Sequence, residues 1–493
     1  MSAIRIALAP GDGIGPEIVN ATLELFTAAG VMKAGIEFVP VEMGASVFAR
    51  GNTRGMSDEA IRTVEECGLL FKGPMETPKG GGGKSINVTA RKLWNAFANL
   101  RVFKTLPGVE SVYSKAGIPI DMCIVRENLE DTYGGVENRL TSDMTVGKRL
   151  MSAPGCDEVH RFAFQEARRL GIKKVHCGHK ANIMKLTDGL FLDRFKAVSK
   201  DFPEIETADV IVDALCMNLV VRPQIYQMVV LPNLQGDIVS DLCAGLVGGL
   251  GFAPSANIGK HISIFEAVHG TAPDIAGKGL ANPTSIILSG LMMLRHIRLG
   301  YEAAVIENAL LATLESGVRT GDFGDKSRAP VNTREFVAAI VDNLGKQPTQ
   351  KAVAVPEKTA AHIDRLARPT SNQMLRSFRN VVSQVAGCDL YLETQIAPAA
   401  LAEEMQRIAA DSPFKLTLIS NRGTQVWPTG SVYTECVDYF RVRFELKEPS
   451  MAGAIGQSRA INLLDRVAEK FVVAEYGLLR MFDGVKGYSM AQG

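Results

Sequence analysis

Asp237 and Asp241 lie four residues apart in Asn233-Leu234-Gln235-Gly236-Asp237-Ile238-Val239-Ser240-Asp241-Leu242. On a helix, residues i and i+4 share one face. The apolar run from Ile225 to Leu231 reads as a buried strand, with Gly236 breaking it and a helix following. Both carboxylates then project at the C-terminal end of a strand, where open α/β sheets bind ligands. Two hard oxygen donors suit Mg²⁺ or Mn²⁺. Asp213, read as ending the strand Val210-Ile211-Val212, is a candidate third carboxylate. A capping aspartate next to a solvated one gives the same spacing, so the surrounding segments decide between the two readings.

Ser85, Asn87 and Arg91 follow Gly80–Gly83 and Lys84 and fall near a helix start. Free amides and the helix dipole favour an anion there. Arg91, Arg101 and Arg126 carry guanidinium forks that bind carboxylates bidentately, which suits a substrate with several carboxylates. Tyr133 follows Arg126 by seven residues. Positive neighbours stabilise a phenolate, so it can serve as a general acid, while a packed or interface tyrosine gives the same sequence. Lys180 sits between the strand Lys174–Cys177 and a helical pattern over Asn182–Phe195, a place for a proton acceptor. His176 and His179 resemble half a zinc site, but no second ligand pair exists. Gly11-Asp12-Gly13-Ile14-Gly15-Pro16-Glu17 has proline where a dinucleotide fingerprint needs its third glycine, so it is a ligand-side turn that starts a helix. The loop His269-Gly270-Thr271-Ala272-Pro273-Asp274-Ile275, with Asn282-Pro283 after it, is rich in turn formers. Asp274 there can accept from two ribose hydroxyls and would repel a 2′-phosphate.

The elements that must hold these residues alternate short apolar strands with amphipathic helices over residues 1–345, an α/β pattern. The strand Ala3–Ala9 and helix Pro16–Ala29 are the first pair. Residues 347–370 have little periodicity and read as a linker. A compact module follows: strand Cys388–Glu393, helix Pro398–Ala410, strands Lys415–Ser420 and Tyr439–Leu446, helix Gly456–Phe471, strand Tyr476–Phe482. The order βαββαβ predicts a ferredoxin-like domain. The 493 residues are 46% hydrophobic and 22% charged, enough for several domains with large cores. A net charge of +1 implies no nucleic-acid stripe, so any positive site must be local and no nucleic-acid partner is expected; no apolar run is long enough to span a membrane. The 8 cysteines are scattered without a C-x-x-C pair, which points to reduced thiols and a cytoplasmic protein. A strand starting almost at Met1 leaves no room for a leader peptide.

Together these segments resemble the isocitrate/isopropylmalate dehydrogenase family of metal-dependent, decarboxylating enzymes, over about residues 1–345. The resemblance implies a two-domain fold: 1–96 with 248–346 as a large domain, and 97–247 as a small domain with a dimer clasp. Residues 371–493 resemble the tail of a minority of bacterial members, as in Leu418-Ile419-Ser420-Asn421-Arg422-Gly423 and Ser489-Met490-Ala491-Gln492-Gly493. That tail is read as an oligomerisation or regulatory domain. Gly83-Lys84-Ser85-Ile86-Asn87-Val88 with Arg91 matches the isocitrate branch. By resemblance, Ser85, Asn87, Arg91, Arg101 and Arg126 bind isocitrate, and Asp213, Asp237 and Asp241 hold Mg²⁺ or Mn²⁺. Lys180 and Tyr133 move protons. In this family the lysine and one aspartate come from the neighbouring subunit, so Lys180 and Asp213 are expected to serve a homodimer's other site. The cofactor set implied is Ile14, Glu76, Thr77, Asn182, His269, Gly270, Thr271, Ala272, Pro273, Asp274, Ile275 and Asn282. NADP-type bacterial members carry Lys-Tyr in place of Asp274-Ile275, and a tyrosine and an arginine near Gly321-Asp322-Phe323-Gly324-Asp325. Both are missing here, and Glu76 stands where many NADP enzymes have threonine, so NAD is the expected cofactor. The expected role is that of the tricarboxylic acid cycle enzyme. The rival readings are a homoisocitrate or isopropylmalate dehydrogenase, the isocitrate enzyme using NADP, and a catalytically silent regulatory subunit.

Overall fold

The computed structural model describes residues 3–76, 85–324, 328–363, 381–430 and 433–489. Thr77, the Gly80–Gly83 run with Lys84, Asp325, residues 364–370 and the terminal 490–493 lie outside the described residues. The chain divides into two compact units, Met1–Gly134 with Leu150–Arg368, and Gly135–Arg149 with Pro369–Gly493.

The first unit is built on a ten-stranded sheet. From one edge its strands are Ile36–Pro40, Ile4–Ala9, Leu69–Lys72, Ser263–Ala267, Pro254–Ile258, Ala98–Lys104, Asp121–Glu127, Met228–Leu231, Lys174–His179 and Glu206–Ile211. The outer strands pair in parallel, and the three junctions around Pro254–Ile258 and Ala98–Lys104 are antiparallel. Helices Gly15–Ala28, Thr284–His296 and Gly300–Glu315 bury Phe26, Leu291 and Ile306 with Phe71 of the sheet. Pro16 sits in the first turn of Gly15–Ala28, where its missing N–H costs nothing.

Three local readings change. Ile225 closes a short 3₁₀ turn, Pro223–Ile225, and the strand is Met228–Leu231. Gly236 does not break it; the helix Asn233–Leu246 has already begun. Glycine is needed there for packing, since a Cβ would lie 2.7 Å from Arg126 Cγ. Asp213 does not end a strand: the strand stops at Ile211, and Asp213 is the second residue of the helix Val212–Val221. Likewise Asn182 precedes its helix, Thr187–Val198, and sits in an exposed turn.

Residues 347–363 form no helix or strand but are pinned within the first unit. Asn308 Nδ2 donates to Val353 O at 2.8 Å, Val353 N donates back to Asn308 Oδ1 at 2.7 Å, and His362 N donates to Ile297 O at 2.9 Å.

In the second unit the sheet order is Thr424–Trp427, Phe414–Asn421, Tyr439–Leu446, Ser383–Glu393, Val472–Phe482, Val485–Lys486. The four central strands and the helices Pro398–Ile408 and Gln457–Ala468 give the expected βαββαβ order, and two short edge strands extend it. The stretch 135–149 groups with this module. Thr141 Oγ1 donates to Asp438 Oδ1 at 3.0 Å, and Lys148 Nζ pairs with Glu475 Oε1 at 2.7 Å.

Candidate functional site

Arg101 and Arg126 lie on adjacent antiparallel strands, where Asn99 faces Arg126 and Arg101 faces Ile124. The two arginines are therefore diagonal neighbours on one face of the sheet. Both are buried, at 6% and 1% side-chain exposure. The helix Asn233–Leu246 presents Asp237 and Asp241 to them. Arg101 Nη2 lies 3.3 Å from Asp237 Oδ1, and its Nη1 lies 3.2 Å from Asp241 Oδ1 and 2.6 Å from Ser240 Oγ. Arg126 Nη1 pairs with Asp237 Oδ1, and Arg126 Nε and Nη2 donate to Asn233 Oδ1 at 2.9 and 2.7 Å. The Tyr133 hydroxyl donates to Asp237 Oδ2, and the Arg126 guanidinium sits 4.8 Å from the centre of the Tyr133 ring. Arg91, from the helix Ile86–Leu93, joins through Glu266: its Nη2 is 2.8 Å from Glu266 Oε1.

The electrostatics follow from this crowding. Burial opposes ionisation of Asp237, but Arg126, the Tyr133 hydroxyl and Arg101 outweigh it and hold the carboxyl below its usual range. Burial and repulsion from Arg91 pull Arg126 down to about 10. Tyr133 moves opposite to the expectation from its arginine neighbours. Burial and its hydrogen bond to Asp237 raise its pKa, overriding Arg126. The phenol is therefore held protonated, as a proton donor requires. Glu266 is buried, which favours its neutral form, yet Lys72 and Arg91 keep it well below the usual carboxylate range.

Lys180 and Asp213 form a separate pair, with Nζ 2.5 Å from Asp213 Oδ1. Among the described residues no three His, Cys, Asp or Glu side chains are grouped so as to hold a metal ion. One chain thus brings Asp237 and Asp241 together and leaves Asp213 with Lys180. Two carboxylates remain as hard donors, with Asp241 61% exposed. Asn87 Oδ1 and Arg91 Nε are buried without a hydrogen-bond partner among the described residues. Such atoms favour an incoming polar ligand.

On the side expected to hold the cofactor, Ile14 N donates to Thr271 O at 2.9 Å, tying the glycine turn to the 269–275 loop. A Cβ on Gly13 would lie 2.0 Å from Thr271 O, so only glycine allows this approach. Ala272 takes a positive φ of 40°, and Pro273–Ile275 is a 3₁₀ turn carrying Asp274 at the surface. His269 Nδ1 lies 3.0 Å from Gly270 O, and its Nε2 is buried without a partner among the described residues. The Asn282 side chain is engaged internally, donating to Asp322 at 2.9 Å and accepting from Thr284 N at 2.9 Å. Glu76 N donates to Asp12 Oδ2 at 2.9 Å while its side chain is exposed.

Sequence reasoning missed Lys72, Asn99, Asn233, Asn257 and Glu266, all buried beside the arginines. For the four on strands the one signal is a polar residue within a buried strand, as in Ser263-Ile264-Phe265-Glu266-Ala267, and Asn233 opens the aspartate helix.

Comparison with known proteins agrees with this geometry. Residues 5–340 match the family described as isocitrate/isopropylmalate dehydrogenase, and residues 383–493 match the bacterial isocitrate dehydrogenase C-terminal domain. The chain is 43% identical to the Thermus thermophilus protein named isocitrate dehydrogenase (NADP), over 99% of this chain and 95% of the relative. It is 45% identical to a Dictyostelium discoideum protein named as a mitochondrial regulatory subunit of isocitrate dehydrogenase (NAD), over 69% of this chain and 93% of that one. The crystal structure of the TT0538 protein from Thermus thermophilus superposes with a TM-score of 0.88 at 42% identity, covering 99% of this chain and 95% of the other. By sequence and by fold, this chain belongs to the isocitrate/isopropylmalate dehydrogenase family and carries the C-terminal domain of its bacterial isocitrate branch.

Proposed function

We propose that this protein is a homodimeric, metal-dependent isocitrate dehydrogenase that converts isocitrate to 2-oxoglutarate and CO₂ with reduction of NAD. The observation that carries the reading is the convergence of buried Arg101 and Arg126 on Asp237 and Asp241, with the Tyr133 hydroxyl on Asp237. A site that juxtaposes guanidinium forks and hard oxygen donors suits a polycarboxylate that also chelates a cation. The two aspartates fit Mg²⁺ or Mn²⁺ by donor chemistry, and Asp213 of a second copy would complete the set. When bound, such an ion polarises the substrate's hydroxyl and later its ketone oxygen.

The chain's own residues do the rest. Arg91, Arg101 and Arg126 bind and orient the carboxylates, with Ser85 and Asn87 beside them. Lys180 from the second copy assists removal of the hydroxyl proton through a relay that includes its aspartate neighbour, as a hydride leaves C2 for NAD. The resulting β-keto acid loses its β-carboxylate as CO₂, and Tyr133 protonates C3. The second copy is supported by exposed apolar side chains on the two helices that carry the aspartates: Met217, Val220 and Val221 on the Asp213 helix and Ile238 between Asp237 and Asp241. Exposed patches of this kind mark association surfaces.

The choice of NAD rests on Asp274, a carboxylate at the surface turn of the cofactor loop with no ion-pair partner among the described residues. NADP is the alternative, and the name of the Thermus relative favours it. Initial rates with isocitrate and Mn²⁺ decide: faster kcat/KM with NAD supports the reading. Preference for NADP retains the enzyme and removes the role of Asp274. No turnover with either rejects the substrate assignment and sends the search to homoisocitrate and isopropylmalate.

A further inference from the structure

Beneath the arginines, polar side chains form a row across five adjacent strands. Lys72 faces Glu266 in the register, Ser255 faces both Glu266 and Arg101, Asn257 faces Asn99, and Asn99 faces Arg126. In a pleated sheet, directly paired residues and those two apart share one face, so the row is continuous. Every member is buried, with Asn99 and Asn257 at 0% exposure.

The hydrogen bonds in this row run in one direction. Arg101 Nε donates to Asn99 Oδ1 at 2.9 Å. Asn99 Nδ2 donates to Asn257 Oδ1 at 3.0 Å, and Asn257 Nδ2 donates to Glu266 Oε1 at 2.7 Å. The chain starts on a cation and ends on an anion, with both amide dipoles aligned between them. Aligned bonds of this kind polarise one another in a low dielectric. The same Glu266 oxygen takes Arg91 Nη2 at 2.8 Å, and its other oxygen takes Lys72 Nζ. Asn128 Nδ2 braces Asn257 Oδ1 at 3.1 Å, and Ser255 Oγ accepts from Asn99 at 2.8 Å. Both amides are thus fixed in orientation, since flipping either would set donor against donor.

We infer that Asn99, Asn257 and Glu266 are positioning residues that set the separation and aim of Arg91 and Arg101, and through them the affinity for a substrate with several carboxylates. None of the three needs to touch substrate. Strands alone do not fix the end of a long arginine side chain; a second layer of bonds does. The row links the arginine that the aspartate helix engages with the arginine that the Ile86–Leu93 helix supplies. This inference deepens the proposed function and rests on it.

The test is steady-state kinetics of Asn257→Ala and Asn257→Ser in the full chain. Serine keeps a hydroxyl but cannot span from Asn99 to Glu266, so it covers the case in which the alanine variant does not fold. Asn308→Ala serves as a control, because among the described residues that buried amide bonds to Val353, in the 347–363 stretch, and to no member of the row. The expected result is a rise in KM for isocitrate of about ten- to a hundred-fold, as for a small misplacement of a binding group. KM for the nicotinamide cofactor should stay within about twofold, and Asn308→Ala should lower Tm with both KM values unchanged. Unchanged KM for isocitrate in a folded Asn257 variant overturns the inference. So does a parallel loss in both KM values and kcat, which is what a purely structural residue gives. If the unaltered chain turns over isocitrate, these failures concern the positioning row alone; if it does not, the functional reading falls and takes the inference with it.

Discussion

Asp274→Asn is the substitution that isolates the cofactor argument. Asp274 lies at the surface of the Pro273–Ile275 turn, so its field acts through a medium close to water. Two unit charges ~4 Å apart repel by about 1 kcal/mol in water and about 4 kcal/mol at an effective dielectric of 20. Exposure selects the lower figure. A phosphate monoester carries roughly 1.5 to 2 negative charges near neutral pH, so the 2′-phosphate meets about 2 kcal/mol of repulsion. At 1.4 kcal/mol per decade that is roughly a thirty-fold penalty on NADP. Asparagine keeps the size and a ribose acceptor but removes the charge. The expected outcome is about a thirty-fold gain in kcat/KM for NADP with a smaller change for NAD. Because the Debye length falls from about 10 Å at 0.1 M salt to about 3 Å at 1 M, the unaltered chain's discrimination should narrow in high salt while the variant's should not. Rates measured with both cofactors at both salt concentrations check it. An unchanged NADP rate in the variant, or discrimination indifferent to salt, refutes the electrostatic reasoning.

Three other outcomes follow from the same geometry. Tyr133→Phe should lower 2-oxoglutarate formation by about 10² to 10⁴, as loss of a general acid does, with little change in KM for isocitrate. Because burial and the bond to Asp237 raise the Tyr133 pKa, the unaltered enzyme should keep its proton donor beyond the pH at which a free phenol ionises, so an alkaline loss of activity that persists unchanged in Tyr133→Phe belongs to another group. Glu266 has a depressed folded-state pKa, so its stabilisation is fully present above its unfolded pKa and is lost as pH falls towards the folded one. Urea melts should show stability declining below about pH 4.3. Glu266→Gln should cost about 3–5 kcal/mol at pH 7 and flatten that decline, because Lys72 and Arg91 lose their counter-charge. Finally, mixing and reassembling inactive Lys180→Ala and Tyr133→Phe chains should restore about a quarter of normal activity. Half the dimers are then mixed, and each mixed dimer holds one intact site. No recovery after verified exchange would mean that Lys180 serves its own chain.

The spacing of Asp237 and Asp241 is legible in the sequence because helical periodicity is local, and the helix Asn233–Leu246 carries both. The arginines are legible as residue types. Their diagonal placement is not, since strand register depends on partners far along the chain. Gly236 misleads because a helical glycine chosen for close packing against Arg126 looks, in sequence, like a breaker. The direction of the Tyr133 shift is hidden for a related reason: proximity to arginines is visible in sequence, burial and a carboxylate acceptor are not. Asn99, Asn257 and Glu266 show in sequence only as single polar residues within strands, and only the sheet brings them into line. In the C-terminal module the alternation of strands and helices is plain, but the edge strands Thr424–Trp427 and Val485–Lys486 are too short to register.

The grouping of residues 135–149 with the C-terminal module has a consequence in time. During synthesis this segment emerges roughly 220 residues before the module it joins, which at about 5–20 residues per second is a wait on the order of ten to forty seconds. A lone two-stranded ribbon is at best marginally stable in water. The strands Asp131–Arg139 and Thr145–Leu150 pair as such a ribbon, which therefore spends that interval without Asp438 or Glu475, the partners of Thr141 and Lys148. Its first strand, Asp131–Arg139, also carries Tyr133. The strand is thus settled in two stages: Tyr133 can meet Arg126 and Asp237 as soon as the aspartate helix has emerged, while residues 135–139 beyond it wait for the C-terminal module.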